Sequence, residues 1–195
     1  FVMNELQRHR WTFKMLMPFV DVFLKWKFNY EYDDIKEIEG PYLLVANHNL
    51  ELDAAVVGRA VGKHAYFVAS EHVLRKGIGT WFLMTFFKPI IHMKGKQGVA
   101  TVKQMLKTLK DGHSVCIFPE GTRNKGEGLL EFKEGSMKIA EKTGCLIVPI
   151  ALTNTAEIFD NHKPWIRPCK VVIEYGTPID PKTLSKEDKK RMGAI

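Results

Sequence analysis

Short runs suited to strands, spaced by stretches of helical periodicity, constrain the fold of this 195-residue chain more than any other feature. The runs fall at residues 28–32, 42–46, 65–69, 89–93, 115–118, 146–152 and 170–175, and helices are expected at 5–27, 52–62, 81–87, 99–110 and 135–143. The 99–110 helix should turn Val102, Met105, Leu106 and Leu109 to one face; Asp111-Gly112 ends it, and Gly144 stops the 135–143 helix. Strands alternating with helices predict an α/β fold: a mixed, largely parallel central sheet flanked by helices, preceded by an N-terminal amphipathic helical segment. At 45% hydrophobic residues the chain can bury a full core yet is too short for two comfortable domains. The expected organisation is a segment 1–28 followed by one α/β domain over 29–195.

Two of the apolar runs end in polar clusters. After Tyr42–Ala46 come Asn47-His48-Asn49-Leu50-Glu51-Leu52-Asp53, with an imidazole and a carboxylate five positions apart. On one continuous helix that spacing turns the two side chains roughly 140° away from each other. His48 is therefore expected in a loop and Asp53 at or near the first turn of the next helix. There the carboxylate can fix the ring tautomer and leave the other nitrogen free to take a proton. His-x4-Asp alone is a weak signal, because Asp is a common helix cap and many histidines are structural. The second cluster, Pro119-Glu120-Gly121-Thr122-Arg123, follows the run Ser114-Val115-Cys116-Ile117-Phe118. Ligands of open α/β sheets gather where strands finish, so the two clusters can face one crevice.

Asn47-His48 with Asp53, Phe118-Pro119-Glu120-Gly121-Thr122-Arg123, Leu129-Leu130-Glu131-Phe132-Lys133-Glu134-Gly135-Ser136 and Val148-Pro149-Ile150 occur in that order. Together they resemble the four motifs of the glycerolipid acyltransferases, most closely the 1-acyl-sn-glycerol-3-phosphate acyltransferases. The resemblance spans roughly residues 40 to 180, and four ordered motifs are far more specific than one. It implies acyl transfer from an acyl thioester, carried by acyl carrier protein or coenzyme A, to the free hydroxyl of lysophosphatidic acid, giving phosphatidic acid for phospholipid synthesis. His48 would be the base and Asp53 its partner. Arg123 would grip the acceptor's phosphate through its planar fork, Gly121 would let the backbone approach and Thr122 would offer a hydroxyl. Asn47 and Glu120 are supporting residues, with Glu120 expected to orient Arg123 or a loop amide. Lys133 and Lys94 are further phosphate candidates; Lys94 stands after Ile90-Ile91-His92-Met93, where the family usually carries an Arg. The same resemblance leaves glycerol 3-phosphate or another lysophospholipid open as acceptor.

A formal charge of +7 calls for an acidic partner. The basic residues form no stripe interleaved with stacking aromatics, so an anionic membrane surface is favoured over nucleic acid. A non-enzymatic basic membrane- or nucleic-acid-binding module is the distant alternative, and it leaves both clusters without a purpose. The cysteines Cys116, Cys145 and Cys169 form no CxxC, and reduced, mostly buried thiols of a cytoplasmic protein are expected. The histidines lack metal-ligand spacing, so neither a metal nor a cofactor beyond the thioester co-substrate is expected.

Within the N-terminal segment, Gln7, Arg10, Lys14, Pro18, Asp21 and Lys25 form a narrow polar stripe amid apolar and aromatic residues. Lys14, Asp21 and Lys25 interrupt any run long enough to cross a bilayer, which needs ~20 apolar residues. The expectation is a peripheral anchor on the cytoplasmic face, divided or kinked at Pro18. Trp11 and Trp26 would lie at headgroup depth, with Arg8, Arg10, Lys14, Lys25 and Lys27 against anionic lipid. Such an anchor would bring the active site to a lysolipid still in its bilayer.

Overall fold

A computed structural model describes residues 5–28, 31–32, 38, 40–50, 52–61, 65–75, 77, 80–81, 84–85, 87–93, 98–124, 126, 128–133, 135–158 and 169–190. In chain order the regular elements are α1 (Glu5–Phe28), β1 (Glu31–Tyr32), β2 (Tyr42–Ala46), α2 (Asp53–Val61), β3 (Ala65–Ser70) and β4 (Ile90–His92). They continue with α3 (Gly98–Lys110), β5 (Ser114–Ile117), α4 (Lys138–Thr143), β6 (Leu146–Thr153), β7 (Val172–Tyr175) and α5 (Lys186–Lys190). Single 3₁₀ turns occupy Glu71–Arg75 and Thr155–Ile158.

The strands form one sheet in the order β1-β7-β6-β2-β5-β3-β4. Every pairing is parallel except β6 with β7. β2 lies between β6 and β5 with all five of its residues buried, which is why it reads as an unbroken apolar run. One face of the sheet packs Leu44, Ala46, Cys116, Val148 and Ile150 against Val56, Val57, Ala60 and Val61 of α2. The other packs Leu43, Val45, Val115, Ile117 and Ile147 against Met105 and Leu109 of α3 and Ile139 and Ala140 of α4. Because β2 and β5 are parallel neighbours, the loops after Ala46 and Ile117 emerge at the same edge.

Several details differ from the sequence-based expectation. On α3, Val102 is 37% exposed and Thr101 only 2%. The Thr101 hydroxyl is satisfied by the edge strand, donating to the Ile91 carbonyl at 3.1 Å. The helix expected from 135 starts at Lys138, since Gly135 holds φ +88° in the preceding turn, and it ends on Gly144 at φ 68°. Pro18 does not divide α1. The carbonyl it leaves without an amide partner belongs to Lys14, and both residues are exposed, so water can satisfy it.

α1 buries one face and exposes another. Phe13 and Met17 are buried and Val20 packs on the α2 side of the core. Phe13 lies against the α2 backbone, where a Cβ at Gly58 would stand 3.5 Å from its ring. Trp11, Met15, Phe19, Val22 and Trp26 recur at helical spacing on the opposite side, with Phe19 73% and Trp26 74% exposed. No helix among the described residues is long and apolar enough to cross a membrane.

An ion pair fastens α1 to α2: Asp21 meets Arg59 at 2.9 Å and Lys25 at 3.1 Å. Burial pushes the Asp21 carboxyl up, but hydrogen bonds and charge from Arg59 and Lys25 outweigh it and hold the group below its ordinary value of 3.8. A carboxyl depressed by folding stabilises the fold above its unfolded pKa, and that contribution disappears as pH falls through the folded value. The stability gap between the parent and Asp21→Asn should therefore be constant above about pH 5 and shrink below it. Denaturant melts from acid to neutral pH measure this; a gap independent of pH would contradict it.

Candidate active site

The site begins where the β2–β6 ladder runs out. Beyond the pair Ala46 and Ile150, the Asn47 side chain takes over the strand's role. Its Nδ2 donates to the Leu152 carbonyl at 2.9 Å and its Oδ1 accepts the Leu152 amide at 2.7 Å. The chain therefore leaves the sheet at a defined point, and the next residue is His48.

His48 stands in the loop and Asp53 opens α2. Between them, His48 Nδ1 lies 2.9 Å from Asp53 Oδ2. The same oxygen accepts the amides of Asn49 and Leu50, each at 2.7 Å, so the carboxylate organises the whole turn. Asp53 is 0% exposed, and its Oδ1 has no hydrogen-bond partner among the described residues. An ionised carboxylate only accepts, so the geometry suits an Nδ1–H donor, and in the neutral ring of that tautomer Nε2 carries the lone pair on a side chain partly open to solvent. The α2 N-terminus adds a favourable field for the buried charge.

The second cluster fixes the rest of His48. Its amide donates to Glu120 Oε1 at 3.1 Å, its carbonyl accepts the Asn124 amide at 2.6 Å, and its ring stacks on Phe118 at 4.3 Å between centroids. Glu120 is 3% exposed, so the partner that the sequence left open is the loop amide of His48. Gly121 turns at φ +65° and its amide donates to the Phe118 carbonyl at 3.0 Å. The Lys133 side chain lies over Gly121 where any Cβ would stand, and the Lys133 amide donates to the Pro119 carbonyl at 3.0 Å. Thr122 and Arg123 follow on an exposed stretch one residue short of the Asn124 contact to His48.

The structure thus brings His48, Asp53 and Glu120 into one bonded network, with Asn47 pinned to Leu152 at the strand end just before it and Gly121 and Lys133 packed together beside it. Lys94 lies outside the described residues. Asn124 was missed from the sequence: it is buried, and its side chain donates to the Gly128 carbonyl at 2.6 Å and accepts the Gly126 amide at 2.9 Å. The signal available was an Asn opening a glycine-spaced turn. Cys116 lies buried in the strand beneath; burial first, then the Asp53 charge, push its thiol far above the ordinary range, so it supplies no thiolate. Among the described residues no cluster of His, Cys, Asp or Glu could hold a metal ion.

The chain has clear relatives. The profile of the family described as Acyltransferase matches residues 27–153, and the chain belongs to that family. It is 32% identical over 141 residues to a chloroplastic 1-acyl-sn-glycerol-3-phosphate acyltransferase of Arabidopsis thaliana, across 71% of this chain and 39% of that one. It is 28% identical over 154 residues to a 1-acyl-sn-glycerol-3-phosphate acyltransferase of Borreliella burgdorferi, across 78% and 62%. The chain thus spans less than two thirds of the length of these curated relatives. The crystal structure of the 1-acyl-sn-glycerophosphate acyltransferase PlsC from Thermotoga maritima superposes with a TM-score of 0.80 at 24% identity, over 99% of this chain and 80% of that one, and shares its fold.

Proposed function

We propose that this protein transfers an acyl chain from an acyl thioester to the free hydroxyl of 1-acyl-sn-glycerol 3-phosphate, forming phosphatidic acid. The observation that carries the reading is the 2.9 Å contact between His48 Nδ1 and the buried Asp53, which points a basic Nε2 outward at a strand end. The relatives' names support the acceptor.

The acceptor hydroxyl gives its proton to His48 Nε2 as its oxygen bonds to the thioester carbonyl carbon. The tetrahedral intermediate then collapses, the C–S bond breaks, and the imidazolium returns the proton to the departing thiolate. Products are the ester and a free thiol. Asp53 stabilises the imidazolium, and Glu120 and Asn124 hold the His48 backbone so that the ring need not search for its position. No acyl-enzyme is required, because a thioester is already activated. Arg123 and Lys133 bind the acceptor's phosphate, with Thr122 adding a hydroxyl. Either acyl carrier protein or coenzyme A serves as thioester carrier.

The exposed Trp11-to-Trp26 stripe of α1 rests on an anionic membrane surface, on the cytoplasmic side, as a peripheral anchor. α1 packs on the C-terminal half of α2, by Gly58 and Arg59, so in this reading it tethers the domain and does not line the His48 crevice.

His48→Ala removes the base without touching the core. Acyl transfer, followed as free thiol release from an acyl thioester mixed with lysophosphatidic acid, should be abolished in a variant that still folds, with a melting temperature lowered by the loss of one of the three donors to buried Asp53. Substantial activity in the folded variant would end the mechanism. The same assay addresses Arg123: Arg123→Ala should raise the acceptor KM and erase the preference for phosphorylated over dephosphorylated acceptor, leaving the donor KM nearly unchanged. Equal losses with both acceptors would assign Arg123 a structural role.

A further inference from the structure

At the end of the sheet away from His48, a cleft of about 700 Å³ opens between α1 and the N-terminal ends of β2 and β5. From Tyr42, at its wall, to His48 is six residues along β2 and its loop, about 20 Å at strand rise. None of the residues that form the His48 network lines it. Its volume is within the range of about 300–1,000 Å³ typical of small-ligand sites.

The cleft combines an apolar floor, from Phe13 and Met17, with an uneven set of charges. Arg10, Lys14 and Arg59 line it, against one carboxylate, Asp21. That carboxylate is already shared between Arg59 at 2.9 Å and Lys25 at 3.1 Å. Arg10 and Lys14 pair with no acidic residue among the described residues. Two exposed cations thus line a concave space together with a histidine, His113. The His113 ring is held below its ordinary value of 6.5, first by burial and then by the Arg10 charge, with Asp111 acting weakly the other way.

We propose that this cleft is a second binding site, for a phosphate-bearing anion, distinct from the His48 centre. The Arg10 guanidinium offers a planar fork to phosphate oxygens, Lys14 adds a point charge and His113 adds a ring N–H. A bound phosphate relieves the repulsion between Arg10 and Lys14 and ties α1 to the base of the sheet. Free phosphate and the headgroup of an anionic phospholipid share this chemistry; the headgroup would come from the surface on which the exposed stripe of α1 rests. The inference concerns binding and stands independently of the acyl-transfer reading.

The test follows the His113 imidazole by NMR while the 195-residue chain is titrated with inorganic phosphate. Separate titrations use dihexanoyl phosphatidylglycerol and dihexanoyl phosphatidylcholine, both below micelle formation. Binding in the cleft should shift His113 saturably and raise its titration midpoint, because an anion offsets Arg10. Saturation by inorganic phosphate identifies free phosphate as sufficient; saturation by phosphatidylglycerol alone identifies a headgroup. Arg10→Gln with Lys14→Gln should weaken binding by about tenfold or more. Lys103→Gln with Lys107→Gln, an equal charge change on the exposed face of α3, should leave it unaltered. Absence of a saturable His113 shift with either anionic probe, an equal response to phosphatidylcholine, or an equal loss in both double variants would overturn the proposal.

Discussion

A carboxylate with no exposure to water, accepting three hydrogen bonds on one oxygen, is the interaction on which the site depends. Burying a charge is costly unless donors surround it, and here the donors are the amides of Asn49 and Leu50 and the ring of His48. The same three bonds close the turn that ends β2 and start α2. Local folding and chemical competence are therefore one arrangement: a chain that makes this turn also holds a histidine with a set tautomer.

The parallel pairing of β2 with β5 supplies what the turn lacks. It delivers Phe118, Glu120 and Asn124 to the same edge, where they contact the ring, the amide and the carbonyl of His48. Glu120 retains an oxygen, Oε2, without a partner among the described residues. The exposed side chains of Arg123 and Lys133 stand on the same loop as this buried residue. At the other end of the sheet, the Asp21–Arg59 pair performs the corresponding task for α1, fixing an amphipathic helix to the helix that Asp53 begins.

What the sequence made legible follows from which interactions are local. The five-residue spacing of His48 and Asp53 excludes a single helix, and the apolar run before it defines a strand, so loop and helix start follow from geometry alone. The seven strands fall on the stretches expected as strands, although β1 and β4 are shorter than theirs and β1 is not apolar. Interactions across long separations were not legible. The partner of Glu120 is an amide 72 residues away, and Asn47 reaches a backbone 105 residues away. Thr101 took the inward place beside Val102 because a neighbouring strand could satisfy its hydroxyl, which periodicity does not register. Asp21 read as one member of a polar stripe, while its partner Arg59 lies on another helix. Pro18 read as a kink or a division, and α1 runs through it undivided, with solvent at the exposed turn.

The central claim is that Asp53 sets the tautomer of His48 and so makes Nε2 the base. Nitrogen-15 NMR of the His48 ring, at a pH where the ring is neutral, tests it most directly. The account predicts a protonated Nδ1 and a bare Nε2. A proton on Nε2 with Nδ1 bare would contradict it, since the nitrogen facing solvent could then accept nothing from an attacking hydroxyl.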